Sequence, residues 1–207
     1  MTALPDSHSQ VCDRPPMTIR DAIEEYEEAC RKNASPPLGE IISTLIDRGY
    51  DQPFQNDSYL DALCLTHMMV ERTVSSMRVL TGGGGSVGFW KTLAAPFREA
   101  ATRMARINGN IQFIVINPAE GCKEAFDHLK TEFPGVFDFV LAHASNPMSH
   151  FVICDSRMVR LEQPHEAITA DSRADCIKAQ VTFRSPDLAA RYETLFASLW
   201  NRLKLAV

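Results

Sequence analysis

The sequence has no apolar run approaching the ~18 residues of a membrane span, and its start carries Asp6 and polar residues where a secretory signal needs an apolar core. A spanning or exported protein is therefore not expected, and a cytoplasmic one is. The six cysteines, Cys12, Cys30, Cys64, Cys122, Cys154 and Cys176, are scattered without a Cys-x-x-Cys pair, which favours reduced thiols over a disulfide framework. No Cys or His residues show zinc-ligand spacing apart from the distant His143 and His150, so neither a metal nor a cofactor is expected. Internal repeats and low-complexity tracts are absent. So are runs of basic residues interleaved with aromatics, and nucleic-acid binding has no compositional support beyond a local patch of Arg98, Arg103 and Arg106, most simply a solvated helix face.

What is present is an ordinary globular composition, 45% hydrophobic and 23% charged over 207 residues, enough for one good core and an appendage. Charge divides the chain near residue 57. Residues 1–57 hold eleven acids against five bases, whereas the remainder holds fifteen acids against sixteen bases. Residues 1–16, polar and proline-bearing, are expected to be a disordered tail. An acidic helical extension over 17–57 follows, with Thr18 and Asp21 capping a helix to about Lys32, Pro36-Pro37 interrupting, and a second helix over 38–48 ending at Gly49. This extension either covers a sheet edge, contacts a second copy, or offers a partner-binding hairpin.

Residues 58–207 read as an α/β domain. Ser58 and Asp61 cap a helix whose stripe is Leu60, Leu63, His67, Val70, Val74 and Met77. Strands are expected over 75–81, 111–116, 136–141, 150–155, 158–162 and 178–183, with 150–162 close enough for a hairpin. A turn over 82–86 precedes a helix carrying Phe89, Leu93, Phe97, Ala101, Met104 and Ile107; another helix carries Phe126 and Leu129. Ser185-Pro186 opens a final helix with Leu188, Tyr192, Leu195, Phe196, Leu199 and Trp200 on its stripe.

Two motifs carry chemistry. Gly83-Gly84-Gly85-Ser86-Val87-Gly88 fits Gly-x-Gly-x-x-Gly between a strand and a helix, the context of a dinucleotide fingerprint. However, the next strand ends in Asn117-Pro118 rather than in the acid that holds a ribose, and no Gly-Lys-Ser/Thr follows. A strand-to-helix turn, or an anion site of backbone N–H groups supported by Ser86 and Lys91, are the readings left beside a nucleotide-binding α/β enzyme. The second motif is the octapeptide 148–155, Met-Ser-His-Phe-Val-Ile-Cys-Asp. Aligned on Asp155, it resembles the His-x-Lys-x-x-x-x-Asp motif of the phospholipase D-like superfamily, and the order of elements from Ser58 onward resembles one half of such an enzyme.

The resemblance implies a mixed sheet flanked by helices. It also implies that Met148 stands where the family keeps its attacking imidazole and His150 where it keeps its lysine. A thioether cannot attack a phosphodiester, so covalent catalysis in the family's manner is lost. His150 and Asp155 then mark degenerate motif positions, and His150, Arg157, Arg160 and His165, with Gly83, Gly84, Gly85 and Ser86, form a candidate pocket for an anionic ligand. His143 is a further candidate for the same mouth. The function expected is a non-enzymatic binding, sensing or assembly module. The alternatives are a phosphodiesterase or nuclease using His150 or His165 in a rearranged site, and the nucleotide-binding enzyme. A single half also exposes the face that packs on its twin in two-half relatives, which implies a homodimer.

Overall fold

The computed structural model describes residues 16–146, 148–165 and 168–205, with the side chains of residues 83–87 outside that description. The expected tail thus lies almost wholly outside the described residues. Thr18 and Asp21 cap each other's backbone N–H, at 2.9 and 3.2 Å, and start α1 (Ile19–Asn33). Then come α2 (Gly39–Asp47), a short strand β1 (Phe54–Asn56) and α3 (Tyr59–Arg72), the last capped by Ser58 as its sequence predicts. The α/β succession continues with β2 (Ser76–Gly82), α4 (Gly83–Thr92), α5 (Ala94–Ala105), β3 (Asn110–Ile116), α6 (Cys122–Glu132) and β4 (Phe137–Ala142). It closes with β5 (His150–Cys154), β6 (Met158–Glu162), a 3-10 turn at Ala174–Cys176, β7 (Ala179–Thr182) and α7 (Pro186–Leu205).

The seven strands form one sheet in the order β1-β7-β6-β5-β2-β3-β4. β2, β3 and β4 run parallel, as strands linked by helical crossovers do, while β5, β6 and β7 form an antiparallel meander with β1 on its outer edge. β1 therefore enters the sheet from residues that precede Asp57. Alternation along the strands divides the core. Met77, Val79, Phe113, Val152 and Cys154 meet α3, α5 and α6 on one face. Leu80, Ile114, Val140, Phe151 and Ile153 meet Ala189 and Phe196 of α7 on the other. Phe113 and Phe137, each no more than 2% exposed, join Phe97 and Phe126 in one ring cluster, and each buried ring stabilises the fold by about 2–3 kcal/mol.

Three local expectations change. The glycine run is not a turn but the first turn of α4, because burial of Phe89 and Leu93 overrides glycine's poor helix propensity. The helix expected through 89–107 breaks at Leu93, since Pro96 has no N–H to give the carbonyl of Thr92. The stripe from Ser58 ends at Arg72: Val74 is exposed and Met77 belongs to β2. α3 is buried within the chain, packed by α1, α2 and α5, so its apolar side chains are not left over for a second copy. Among the described residues no helix is long and apolar enough to cross a membrane.

Candidate functional site

A tight turn at residues 155–157 joins β5 to β6, and its register sets Glu162 opposite His150 and Arg160 opposite Val152. Alternation then puts His150, Arg160 and Glu162 on one face, beyond the core residues Val152, Cys154 and Met158. Because β5 runs antiparallel to β2, with Phe151 opposite Leu80, His150 arrives beside Gly82 at the end of β2. A Cβ at Gly82 would stand 2.8 Å from Nε2 and 2.9 Å from Cε1 of that ring. Glycine is needed there for the imidazole to seat. One residue on, α4 begins, and the N–H groups of its first turn have no intrahelical partner.

Glu162 is the hub. Its Oε1 lies 2.8 Å from Nδ1 of His150 and 2.8 Å from Nε2 of His165, in the loop after β6, while Oε2 accepts from the Arg160 guanidinium. The two imidazoles meet edge to face, with centroids 5.1 Å apart. Arg160 is only 3% exposed; it also donates to Oδ1 of Asn56, at 3.2 and 3.3 Å, and lies 5.8 Å from the centre of the Phe89 ring. Burial alone would raise the Glu162 carboxyl, but the Arg160 charge and the two imidazoles outweigh it and hold the group well below the usual carboxylate range. Burial pushes the Tyr59 phenol up, and the Glu162 charge nearby adds to the shift.

The sequence-predicted residues therefore separate. His150, Arg160 and His165 come together, with the backbone of Gly83 at the start of α4; the side chain of Ser86 lies outside the described residues. Arg160 is engaged by Glu162 and Asn56 and is not presented to a ligand. Asp155 and Arg157 sit in the turn at the opposite end of the hairpin. Asp155, in the left-handed region at φ 52°, accepts from the N–H groups of Val74, Ser75 and Ser76 at 2.7–3.0 Å and from the Ser75 hydroxyl at 2.9 Å. Its carboxylate fixes the entry into β2. The Arg157 carbonyl accepts from Ser185 N–H. His143 is exposed past β4, with β2 and β3 between it and β5, about 14 Å away by strand spacing.

Met148 precedes β5, and its side chain packs against the core beneath α7, the face opposite to His150. Lys91 is exposed. The arginine patch is largely occupied: Arg98 pairs with Glu132, and Arg103 caps the end of α3 through the carbonyls of Val70, Glu71 and Thr73. Glu162, Asn56 and Tyr59 escaped the sequence reading as site residues. The one legible signal was Glu162-x-x-His165 at the end of an expected strand.

No family model matches the chain, and no curated protein sequence does. Solved structures do match. TrmBL2, an archaeal chromatin protein with a novel mode of DNA binding, superposes with TM-score 0.54 at 16% identity over 88% of this chain, which spans 65% of that one. Nuc, a phospholipase D family member from Salmonella typhimurium, gives 0.50 at 17% identity over 72% of this chain and 95% of its own. NucT from Helicobacter pylori gives 0.49 at 11% identity, covering 73% and 95%. The likeness is one of fold: a mixed seven-stranded sheet flanked by helices, similar to the phospholipase D-like fold.

Proposed function

We propose that the chain is a catalytically degenerate phospholipase D-like protein, acting as a binding, sensing or assembly module for a phosphate-containing or other anionic ligand. The observation that carries this is Met148, whose thioether cannot attack a phosphodiester and whose side chain packs under α7, away from the His150 mouth. The ligand's contacts are then Nε2 of the His150 ring and the first-turn N–H groups of α4, since the Arg160 guanidinium and Nε2 of His165 are already engaged by Glu162. The nucleotide-enzyme alternative loses support: Asn117, at the end of β3, is tied to the backbone of Ala144 by bonds of 2.9 and 3.0 Å, where a ribose-binding acid would be needed. Calorimetric titration with pyrophosphate tests the proposal. Binding weakened about tenfold or more by His150→Ala is the expected result, with no hydrolysis of bis(p-nitrophenyl) phosphate in chelator.

One observation favours hydrolysis as a second reading. The buried Glu162 carboxylate holds Nδ1 of His150, an arrangement that fixes a tautomer and turns Nε2 toward Gly82. Turnover in chelator that vanishes in His150→Ala would establish this reading and sink the first. Self-association remains part of the proposal, narrowed to the α7 face where Leu195 is exposed. Light scattering at tens of micromolar would show a dimer.

A further inference from the structure

The convergence of His150, Glu162 and His165 points to more than a hydrogen-bonded cluster. Glu162 has two oxygens, yet both imidazoles aim at the same one: Nδ1 of His150 and Nε2 of His165 each lie 2.8 Å from Oε1, and the three ligand-capable atoms all fall within 4.8 Å of one another. Tetrahedral ligands about 2.0–2.1 Å from a zinc-sized ion stand roughly 3.3 Å apart, so lengthening the two 2.8 Å contacts and setting the two ring nitrogens at that separation would admit one. His and Glu are ligand types that zinc accepts together.

The surroundings are arranged as the outer layer of a metal site would be. Arg160 holds Oε2 and is itself held by Asn56, which fixes the carboxylate and leaves Oε1 as a single donor. Gly82 supplies the space in which the His150 ring lies, and any larger residue there would displace it. The Arg160 charge is offset by Glu162, so a dication would not meet a net positive pocket. The side chains of His150, Glu162 and His165 are 17%, 7% and 16% exposed, which shields an ion while leaving both rings in part open to solvent. The spacing is legible in the chain as His150 followed by Glu162-x-x-His165, overlooked when only Cys and His pairs are sought.

We propose that His150 Nδ1, Glu162 Oε1 and His165 Nε2 form a three-ligand site for one divalent transition ion of the zinc class. The site shares His150 with the binding role proposed above but stands without it. The test uses the full chain, stripped with chelator, returned to phosphate-free buffer and titrated with Co²⁺ while visible absorption is followed. One equivalent should bind with the ligand-field bands of a four- or five-coordinate nitrogen/oxygen site and without thiolate charge transfer. His150→Ala and His165→Ala each keep the Arg160–Glu162 pair, and each should weaken binding about 30-fold or more while the far-ultraviolet circular dichroism is unchanged. No Co²⁺ uptake by the wild type, uptake that both variants retain, or bands of thiolate ligation would overturn the site. Because no anion is present, none of these outcomes bears on pyrophosphate binding.

Discussion

Two carboxylates occupy the opposite ends of the β5–β6 hairpin and do different work. Asp155 takes backbone N–H groups from three successive residues and so fixes the path of the chain into β2. Glu162 takes side chains only, an arginine and two imidazoles, and so organises a site. Asp155, where the octapeptide resembles a catalytic motif most closely, therefore serves architecture. Glu162, which belongs to no motif, gathers the groups that can do chemistry. A carboxylate's role follows from whether its partners are main chain or side chain, and sequence spacing alone does not reveal which.

The largest effect expected comes from Glu162→Gln, which leaves the buried Arg160 guanidinium without its counter-charge. Urea denaturation at neutral pH should show a loss of about 3–5 kcal/mol; a loss below about 1 kcal/mol would mean that Glu162 holds nothing essential. Asp155→Asn is next. Asparagine tolerates the left-handed backbone and keeps the shape, so the loss of about 2 kcal/mol isolates the charge-assisted bonds to the N–H groups. It should leave pyrophosphate affinity unchanged, and a parallel fall in affinity would erase the distinction between the two ends.

Asp138 sharpens the contrast from the exposed side. Burial alone would raise its carboxyl, but Lys130 and Lys204, at 2.7 and 2.8 Å, outweigh this and lower it. A carboxylate lowered on folding contributes stability above its unfolded pKa of about 3.9, and that contribution is lost as pH falls through the folded value. Lys204→Ala should therefore cost about 0.5 kcal/mol at pH 7, small because the pair is partly solvated, and the difference from wild type should shrink on acidification toward pH 3. The smallest effect is none at all: Met148→His with His150→Lys restores the motif's residue types but places the imidazole under α7, and phosphodiester turnover should stay at background.

Much of the fold was legible. The runs at 111–116 and 150–154 are strands, and the caps at Thr18 and Ser58 start helices where capping chemistry says they should. β1 was not legible, because Phe54-Gln55-Asn56 is too short for alternation to show. Nor was the helix in the glycine run, whose helical state depends on what Phe89 and Leu93 pack against later in the chain. The site was half legible. His150, Arg160 and His165 could be gathered from spacing, but Arg157, expected beside them, lies at the far end, where the hairpin turn sends it. Asn56 lies 104 residues from the guanidinium that it accepts from, and no local pattern links them.

That separation has a consequence for how the protein is made. His150, Glu162 and His165 are brought together by the β5–β6 hairpin itself, but Asn56, Gly82 and Phe89 join them only after β1 has closed on β7 and β5 has been inserted beside β2. Contacts this distant in sequence form slowly, because the loops they close must be ordered before anything rewards them. A nascent chain that stops before β7 has neither the edge that receives β1 nor Asn56 set against Arg160. The brace on Arg160 and the seat for the His150 ring are thus complete only when the whole sheet is, and the rigidity they lend the hairpin cluster depends on assembly of the chain rather than on the mere presence of its residues.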